Sequence, residues 1–390
     1  MKIRPVIPGV DWVGAVDWER ELFDALLPLP DHTSYNAYLI RGSEKTALVD
    51  AVDPKLVDVL LTRLEGVKKI DIILSLHAEQ DHSGGLPAVL EKYPKAQLFA
   101  SPKGKENLST HLRIPAEHIH AMQDGEMLSL GDKTLRFIHI PWSHWPDSTA
   151  IYLVEDKVLF PNDFFGSHLA TADLFASADE KRVYAAAKRY YAEIMMPLHG
   201  MAQKNLEKLQ GLEIALIAPS HGPIYDHPDF ILDAYRQWTS GPLRNAVILP
   251  YISMHGSTLK MVTYFAESLA ERKVAVDLFD LVSADIGSIA EALVDAPTLV
   301  VGSPTVLGGP HPGVAGAAYL VNMLKPRLKY LSVIGSYGWG GRMVETLAEM
   351  LSGLKVEILP PVLCKGLPQE TDLRALDALA DGIAEKHKTL

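Results

Sequence analysis

Short apolar runs rich in β-branched residues alternate with turn clusters through the first part of the chain. They are TALVDA (46–51), DIILSL (71–76), TLRFIHI (134–140), KVLFP (157–161) and IALIAP (214–219). Such runs, bounded by turn residues, are typical of β-strands, and the periodic stretches between some of them indicate helices. The pattern favours an α/β domain in which helices lie outside sheets.

The second part of the chain alternates more regularly between strand and helix signals. Its strand candidates are AVILP (246–250), VAVDLF (274–279), TLVVG (298–302), YLSVIG (330–335) and VEILP (356–360). Helical stretches such as STLKMVTYFAESLAER separate them, which predicts a doubly wound, five-stranded parallel sheet. A helix ending at Ser240-Gly241-Pro242 predicts the junction, so we expect one domain over 1–243 and another over 244–390.

The composition narrows the function classes. Among 390 residues, 37 Lys and Arg against 48 Asp and Glu give a net charge of −11, which argues against a nucleic-acid partner. There is no apolar run of 18 residues and no signal core, so neither a membrane span nor secretion is expected. The single cysteine, Cys364, predicts a small core residue and a reducing, cytoplasmic location.

Candidate metal ligands follow the predicted strands of the first domain. The run Ile70–Leu76 leads directly into His77-Ala78-Glu79-Gln80-Asp81-His82, and three later strands each precede a His or an Asp by a few residues. If the fold brings the ends of these strands together, four imidazoles and three carboxylates would lie in one cleft: His77, Glu79, Asp81, His82, His144, Asp163 and His221. Imidazole and carboxylate suit iron, zinc or manganese, and this inventory predicts a dinuclear site.

The order of these residues is similar to the metallo-β-lactamase superfamily, whose motif is His-x-His-x-Asp-His followed by distant His, Asp and His. Position 79 is Glu here, and the pattern His-x-Glu-x-Asp-His resembles that of flavodiiron proteins. The resemblance implies an N-terminal metallo-β-lactamase-like αββα sandwich. It also implies one iron at His77, Glu79 and His144, another at Asp81, His82 and His221, and Asp163 bridging the two.

Small-residue loops follow three predicted strands of the second domain. Segment 251–258 places hydroxyls and a glycine before a helix, which is typical of a phosphate site. Loops 302–309 and 335–341 stand at the ends of the third and fourth strands, where a flavodoxin-like fold holds FMN. The segment resembles the flavodoxin domain of flavodiiron proteins, which implies FMN contacts from Ser253, Met254, His255, Gly256, Ser257, Thr258, Pro304, Thr305, Val306, Gly308, Ser336, Tyr337, Gly338, Trp339 and Gly340.

The resemblance covers nearly the whole chain and implies an oxidoreductase. Electrons from an external donor would pass through FMN to two non-haem iron ions and reduce dioxygen to water, nitric oxide to nitrous oxide, or both. Because the sequence has no paired Cys-x-x-Cys motif, we expect a separate donor such as rubredoxin or a reduced deazaflavin coenzyme. Similar proteins are head-to-tail homodimers. We expect such a homodimer here, and the sequence leaves open whether dimers pair into a tetramer.

Two alternatives stay open from the residues alone. One is a zinc-dependent hydrolase of the metallo-β-lactamase superfamily with a regulatory flavodoxin domain, against which Glu79 argues. The other is a non-enzymatic electron carrier whose metal site is only structural, against which the number of ligands argues.

The pocket rim departs from the family pattern. Phe23-Asp24-Ala25-Leu26 stands where many members carry a Phe-His-Gly-Tyr-like stretch, and His32 could supply the missing imidazole. His168 could hydrogen-bond a metal ligand. We expect ordinary surface or core roles for the remaining first-domain histidines and for the last one: His111, His118, His120, His139, His199, His227 and His387.

Overall fold

The computed structural model describes residues 2–390. Contacts divide the chain into two compact units between Thr239 and Ser240, here called the N-terminal and C-terminal units. The domain ranges 1–243 and 244–390 remain a prediction about independent domains.

The N-terminal unit contains sixteen strands within residues 2–239. They are β1 (Arg4–Ile7), β2 (Val10–Trp12), β3 (Ala15–Asp17), β4 (Leu22–Phe23), β5 (Leu27–Pro28), β6 (Thr33–Tyr35), β7 (Tyr38–Arg41), β8 (Thr46–Val49), β9 (Ile72–Leu74), β10 (Gln97–Ala100), β11 (Ile119–Ala121), β12 (Met127–Ser129), β13 (Thr134–His139), β14 (Thr149–Leu153), β15 (Val158–Phe160) and β16 (Leu216–Ile217). Its α-helices are α1 (Val57–Arg63), α2 (Gln80–Ser83), α3 (Leu86–Lys92), α4 (Pro102–His111), α5 (Glu180–Tyr190), α6 (His199–Leu209) and α7 (Pro228–Ser240).

Two sheets pack face to face in this unit. Their strand orders are β1-β2-β7-β8-β9-β10-β11 and β12-β13-β14-β15-β16. Side chains alternate across β9: Ile72 and Leu74 join the core between the sheets, whereas Ile73 joins the core beneath α1, α3 and α4. On α7, the Tyr235 ring packs 4.7 Å from that of Phe165, just after β15. The predicted αββα sandwich is confirmed.

The C-terminal unit contains the predicted doubly wound sheet. Its strands are β17 (Ala246–Tyr251), β18 (Ala275–Asp280), β19 (Thr298–Val306), β20 (Gly309–Pro310), β21 (Tyr330–Tyr337), β22 (Glu357–Ile358) and β23 (Val362–Lys365). Its helices are α8 (Ser257–Glu271), α9 (Ile286–Leu293), α10 (Pro312–Leu324), α11 (Met343–Met350) and α12 (Glu370–His387). The main order is β18-β17-β19-β21-β22, all parallel, with β20 antiparallel beside β19 and β23 parallel beside β21.

One core of this unit lies between the sheet and two helices. Val247 and Val300 of the sheet pack with Phe265 of α8 and Leu379 of α12. Cys364 belongs to the same core and is fully buried, which confirms its predicted role.

Two local predictions in this unit are wrong. Residues Ser303–Val306 were expected in a loop but continue β19, because Ser303 and Pro304 pair with Gly335 and Ser336 of β21. Ser336 and Tyr337 likewise end strand β21 rather than forming a loop. Within the expected fifth strand, 356–360, only Glu357–Ile358 is a strand, β22. A further strand that was not predicted, β23, follows a pair of prolines that cannot donate to a ladder.

Across residues 2–390, no helix has both the length and the apolar character needed to span a bilayer.

Candidate metal centre and cofactor cleft

The first four candidate ligands lie just beyond the end of β9. His77 is in the segment that follows the strand, and Glu79 immediately precedes α2. Asp81 and His82 are on α2, a single helical turn that the sequence pattern did not reveal. This turn directs two side chains inward within a very short stretch of chain.

The other three candidates also follow strands. His144 comes after β13, Asp163 after β15 and His221 after β16. The structure brings all seven residues into two groups in which the ligand atoms lie within 4.8 Å of one another: His77, Glu79, His144 and Asp163 in one group, and Asp81, His82 and His221 in the other.

In the first group, one carboxylate oxygen lies between two imidazoles. Glu79 Oε2 is 3.1 Å from His77 Nε2 and 3.1 Å from His144 Nε2. Asp163 Oδ2 is 3.6 Å from the former nitrogen and 3.4 Å from the latter. Four ligand atoms therefore surround one point.

The second group uses the other oxygen of Asp163. Asp163 Oδ1 is 2.9 Å from His82 Nε2 and 3.3 Å from His221 Nε2. The two oxygens of Asp81 lie 3.3 Å from the same two nitrogens. Asp163 thus presents one oxygen to each group.

The geometry fits metal coordination better than hydrogen bonding. Both oxygens of Asp81, both oxygens of Asp163 and His82 Nε2 are buried and have no hydrogen-bond partner, despite the short separations. Leaving buried polar atoms unpaired costs free energy, and each case needs a physical explanation. Two cations, one in each group, would satisfy these atoms, and the nitrogen and carboxylate donors suit iron.

The pKa values of these side chains reflect strong mutual attraction. Burial disfavours the charged imidazolium, but Asp163 and Glu79 overcome that effect and raise the pKa of His144 to about 9. For His221, burial is likewise outweighed by Asp163 and Asp81, which raise its pKa to about 10. Burial opposes ionisation of Asp163, yet the surrounding imidazoles hold its pKa well below the ordinary value.

Several residues that orient the ligands were missed from the sequence. The Asp147 carboxylate accepts from His77 Nδ1 at 3.3 Å, and the Ser34 carbonyl accepts from His221 Nδ1 at 2.7 Å. Asp50 accepts from Asn162 Nδ2 at 3.1 Å, beside Asp163. Each partner is distant in the chain, so no local pattern signals these contacts. The sequence signals such residues only by placing a polar residue within an otherwise apolar segment.

The less certain histidines lie outside both metal groups. His168 Nδ1 is 2.9 Å from Thr33 Oγ1, and its ring centroid is 5.0 Å from that of His221. His168 therefore lies beside a candidate ligand without being one. His32 Nδ1 instead lies 3.0 Å from the Arg20 carbonyl.

The altered rim forms the turn between β4 and β5. Leu26 N donates to the Phe23 carbonyl at 3.0 Å, and Asp24 and Ala25 both have positive φ angles. Partial burial, followed by the charges of Glu79 and Asp81, raises the pKa of Asp24. The negative charges of the candidate metal ligands therefore disfavour ionisation of the Asp24 carboxyl.

The histidines expected to have ordinary roles are absent from the metal groups found among residues 2–390. His387 lies 2.7 Å from Thr298 Oγ1 and 2.8 Å from Asn245 Oδ1. His139 Nε2 lies 3.0 Å from the Met122 carbonyl, and His120 stacks on Phe99.

The C-terminal unit has a cleft of about 280 Å³ at the carboxyl ends of its central strands. Ten predicted FMN contacts line it, together with Gly366, which was not predicted: Met254, His255, Ser257, Thr258, Pro304, Thr305, Ser336, Tyr337, Gly338 and Trp339. α8 begins beside the cleft after Gly256, which has no side chain to cap the helix. Apart from Leu259 N, from which Ser253 Oγ accepts, its first N–H groups suit a phosphate. Trp339 is 91% exposed at the rim, where a flat ring could cover it.

The other five predicted contacts lie outside this lining. Ser253 Oγ accepts from Leu259 N at 3.1 Å, and Gly256 precedes α8 with a φ of 87°. The Gly308 carbonyl accepts from Arg342 N at 2.7 Å. Val306 lies at the end of β19, and Gly340 lines a neighbouring cavity.

Two family models match the chain in the same order as the two units. The model described as ODP family beta lactamase matches residues 33–222, and the flavodoxin model matches residues 249–376. A nitric oxide reductase from Moorella thermoacetica is 34% identical, and the alignment covers 98% of each chain. The chain belongs to the flavodiiron protein family.

Solved structures of family members agree closely with this flavodiiron protein. Rubredoxin oxygen:oxidoreductase from Desulfovibrio gigas superposes with a TM-score of 0.95 at 32% identity, covering 99% of both chains. The flavodiiron protein from Giardia intestinalis gives a TM-score of 0.92 at 29% identity, covering 99% of this chain and 98% of that one. The predicted fold and family are therefore confirmed.

This flavodiiron protein is an oxidoreductase whose cofactors are FMN and a non-haem diiron centre. The relatives favour this interpretation over a zinc hydrolase or a non-enzymatic carrier.

Proposed function

We propose that this chain accepts electrons from a separate donor into FMN and passes them to two iron ions, reducing dioxygen to water or nitric oxide to nitrous oxide. The observation that carries the proposal is Asp163, whose two oxygens serve two adjacent groups of nitrogen and oxygen ligands. A paired site of this kind suits a gas reduction that needs several electrons at one place.

The proposed ligands are His77, Glu79 and His144 for one iron and Asp81, His82 and His221 for the other, with Asp163 shared between them. When bound, the iron ions would supply redox equivalents and positions for the gas, and FMN would supply electrons. The carboxylates balance positive charge, and the Ser34 carbonyl, which accepts from His221 Nδ1, holds that ring in a fixed orientation.

Exposure of the ligands differs between the two groups. The side chains of Glu79 and His144 are 13% and 15% exposed, whereas those of Asp81, His82 and His221 are almost completely covered. We propose that the gas approaches on the side of Glu79 and His144. The covered side, where Phe23 and Tyr35 pack near His221, excludes water.

FMN is proposed to bind in the cleft at the ends of β17, β19 and β21. Its phosphate would lie near Ser257 and Thr258 at the start of α8, and its ring would lie near Tyr337 and Trp339. Ser253, Gly256, Val306, Gly308 and Gly340 do not line the cleft and stay predicted contacts of the bound cofactor.

We further propose rubredoxin or a reduced deazaflavin coenzyme as donor, since the solved relative from Desulfovibrio gigas is named for rubredoxin. A head-to-tail homodimer, alone or paired into a tetramer, would bring the FMN of one subunit near the iron site of its partner. We also propose a cytoplasmic location, which the free, buried thiol of Cys364 supports.

Steady-state turnover tests the reductase proposal. Iron-replete, FMN-loaded protein is supplied anaerobically with reduced rubredoxin, and dioxygen or nitric oxide is added in separate experiments while gas consumption is recorded. We expect many turnovers with at least one gas and only background consumption by His144→Ala, which loses one proposed ligand. Equal rates in both proteins would refute a reaction at this site.

The dimer is tested separately by light scattering during gel filtration, combined with activity across the eluted peak. We expect activity to follow the dimer or tetramer. A monomer with full activity per subunit would contradict the head-to-tail arrangement.

A further inference from the structure

Asp147 is a completely buried carboxylate that the proposed function does not use. Its side chain has no solvent exposure, and it belongs to the segment after β13 that also carries His144. A buried carboxylate requires a compensating partner. The contacts of Asp147 lead to a candidate metal ligand in another segment.

One oxygen of Asp147 makes two contacts beyond the end of β9. Asp147 Oδ2 accepts from the backbone N–H of Ala78 at 2.8 Å and lies 3.3 Å from His77 Nδ1. The second oxygen, Oδ1, is buried and has no hydrogen-bond partner. Both contacts of this carboxylate are therefore made to two consecutive residues, His77 and Ala78.

The backbone around Asp147 holds this carboxylate in place. The Asp147 carbonyl accepts from Ser101 Oγ at 3.0 Å and from Thr149 Oγ1 at 3.1 Å. Trp145, two residues earlier, packs edge-on against the His77 ring with centroids 4.9 Å apart. His77 thus contacts the His144–Asp147 segment through both its ring and Nδ1.

In the other metal group no carboxylate among residues 2–390 accepts a hydrogen bond from the Nδ1 of either histidine, and His82 Nδ1 has no hydrogen-bond partner there. His221 Nδ1 donates to the Ser34 carbonyl at 2.7 Å, with no carboxylate at that nitrogen. A carboxylate behind a ligating imidazole makes the ring a stronger donor than a carbonyl does and fixes which nitrogen carries the proton. The two metal positions consequently differ in the support given to their histidines.

We infer that Asp147 is a positioning residue that holds His77 with Nδ1 protonated and Nε2 free for the metal, and that it selectively strengthens the position formed by His77, Glu79 and His144. The inference rests on the ligand assignment under the proposed function. Loss of a carboxylate behind a metal-bound histidine typically weakens metal binding by about 10–100-fold. We expect that loss at one position only.

Anaerobic equilibrium dialysis against Fe²⁺, followed by elemental analysis, measures this difference in the full-length protein with FMN bound. Asp147→Asn keeps the side-chain shape and removes the charge. It is combined separately with His221→Ala, which disables the second position, and with His144→Ala, which disables the first. Asp71→Asn is the matched control, because Asp71 accepts from a backbone N–H, that of Thr46, and is absent from the metal groups.

In the His221→Ala background, we expect Asp147→Asn to lower the affinity for the remaining iron ion about 10–100-fold. In the His144→Ala background, we expect it to leave the affinity for the remaining iron ion unchanged. Equal weakening in both backgrounds, or none in either, overturns the inference. If His221→Ala and His144→Ala do not each lose one iron, the ligand assignment is wrong, which is a separate failure.

A second measurement needs no Asp147 variant. In zinc-loaded protein containing ¹⁵N-labelled histidine, nitrogen–proton NMR identifies which ring nitrogen of His77 is protonated. We expect a protected proton on Nδ1. A proton on Nε2, or an Nδ1 proton in fast exchange with solvent, contradicts the role of Asp147 whatever the dialysis shows.

Discussion

Asp163 Oδ1 lies 2.9 Å from His82 Nε2, yet neither atom makes a hydrogen bond. Such an approach without a hydrogen bond is expected when both atoms direct lone pairs at a third centre. The other oxygen of Asp163 stands in the same relation to the first group of ligands. Asp163 is therefore the residue on which the dinuclear character of the site depends.

Replacing this carboxylate should weaken both metals. In Asp163→Asn, an anionic oxygen becomes a neutral amide nitrogen, and we expect the affinity for both iron ions to fall by about 100-fold or more. Elemental analysis after dialysis measures the iron, and absorbance measures FMN, which should be retained. Asp173→Asn, at an exposed carboxylate, is the control. Two iron ions retained at unchanged affinity in Asp163→Asn would contradict the bridging role.

The metal-free site should be most stable at lower pH. The pKa values of His144 and His221, about 9 and about 10, exceed the value of about 6.5 expected in the unfolded chain. Their stabilising effect is complete below the unfolded value and is lost as the pH rises through the folded values. Thermal unfolding of chelator-treated protein should therefore show a Tm that falls between about pH 6.5 and pH 10.

Metal binding should show the opposite dependence on pH. Iron requires deprotonated imidazoles, so its affinity should fall as the pH is lowered from about 9 to 6, with protons released on binding. Titration of metal-free protein in weak buffer, with a pH indicator, measures the released protons. Affinity that does not change across this range would count against histidine ligation.

Trp339 should contribute to FMN binding through its exposed ring. Loss of an aromatic contact costs about 1 kcal/mol, so Trp339→Ala should release FMN about fivefold more readily. The fluorescence of released flavin gives the dissociation constant. Tyr319→Ala removes an exposed aromatic ring from α10, outside the cleft lining, and should leave the dissociation constant unchanged. Equal effects of the two substitutions would remove Trp339 from the flavin site.

Gly335 is required where β21 approaches β19 beside the cleft. A Cβ at this position would lie 2.1 Å from the Ser303 carbonyl oxygen, a contact that the paired strands cannot relieve cheaply. We expect Gly335→Ala to destabilise the C-terminal unit by about 1–3 kcal/mol and to reduce its FMN content. Urea unfolding monitored by circular dichroism measures the first effect. Gly316→Ala, whose Cβ has no neighbour within 4 Å, should be tolerated, and equal destabilisation by both would show that crowding is not the cause.

The sequence was most informative where a residue able to bind metal follows a buried strand. His144, Asp163 and His221 each come shortly after an apolar run, and the structure gathers them because neighbouring strands end at one edge of the sandwich. The same reasoning located ten residues of the cofactor cleft. The ends of strands and the chemistry of the residues after them are visible in the local sequence. The structure places these residues together, and their roles as metal ligands and flavin contacts stay predictions.

Predictions failed where long-range pairing decides the structure. Ser303 and Pro304 carry turn-like residue types, yet their pairing with β21 extends β19 past them. Asp147 and His77 are 70 residues apart, so their contact leaves no local signal. The backbone acceptor of His221 could not be found either, because every residue has a carbonyl and only the fold selects that of Ser34.

The most direct test of the account is stopped-flow reoxidation of fully reduced, iron-replete protein by dioxygen and by nitric oxide, with flavin absorbance and gas consumption recorded together. Asp81→Ala, which retains FMN but loses a proposed ligand of the second iron, is mixed in parallel. We predict rapid flavin reoxidation by at least one gas in the unaltered protein and a slow reaction in Asp81→Ala. Equally fast reoxidation in both proteins would show that the flavin reacts with the gas directly, and would contradict electron transfer to the paired metal site.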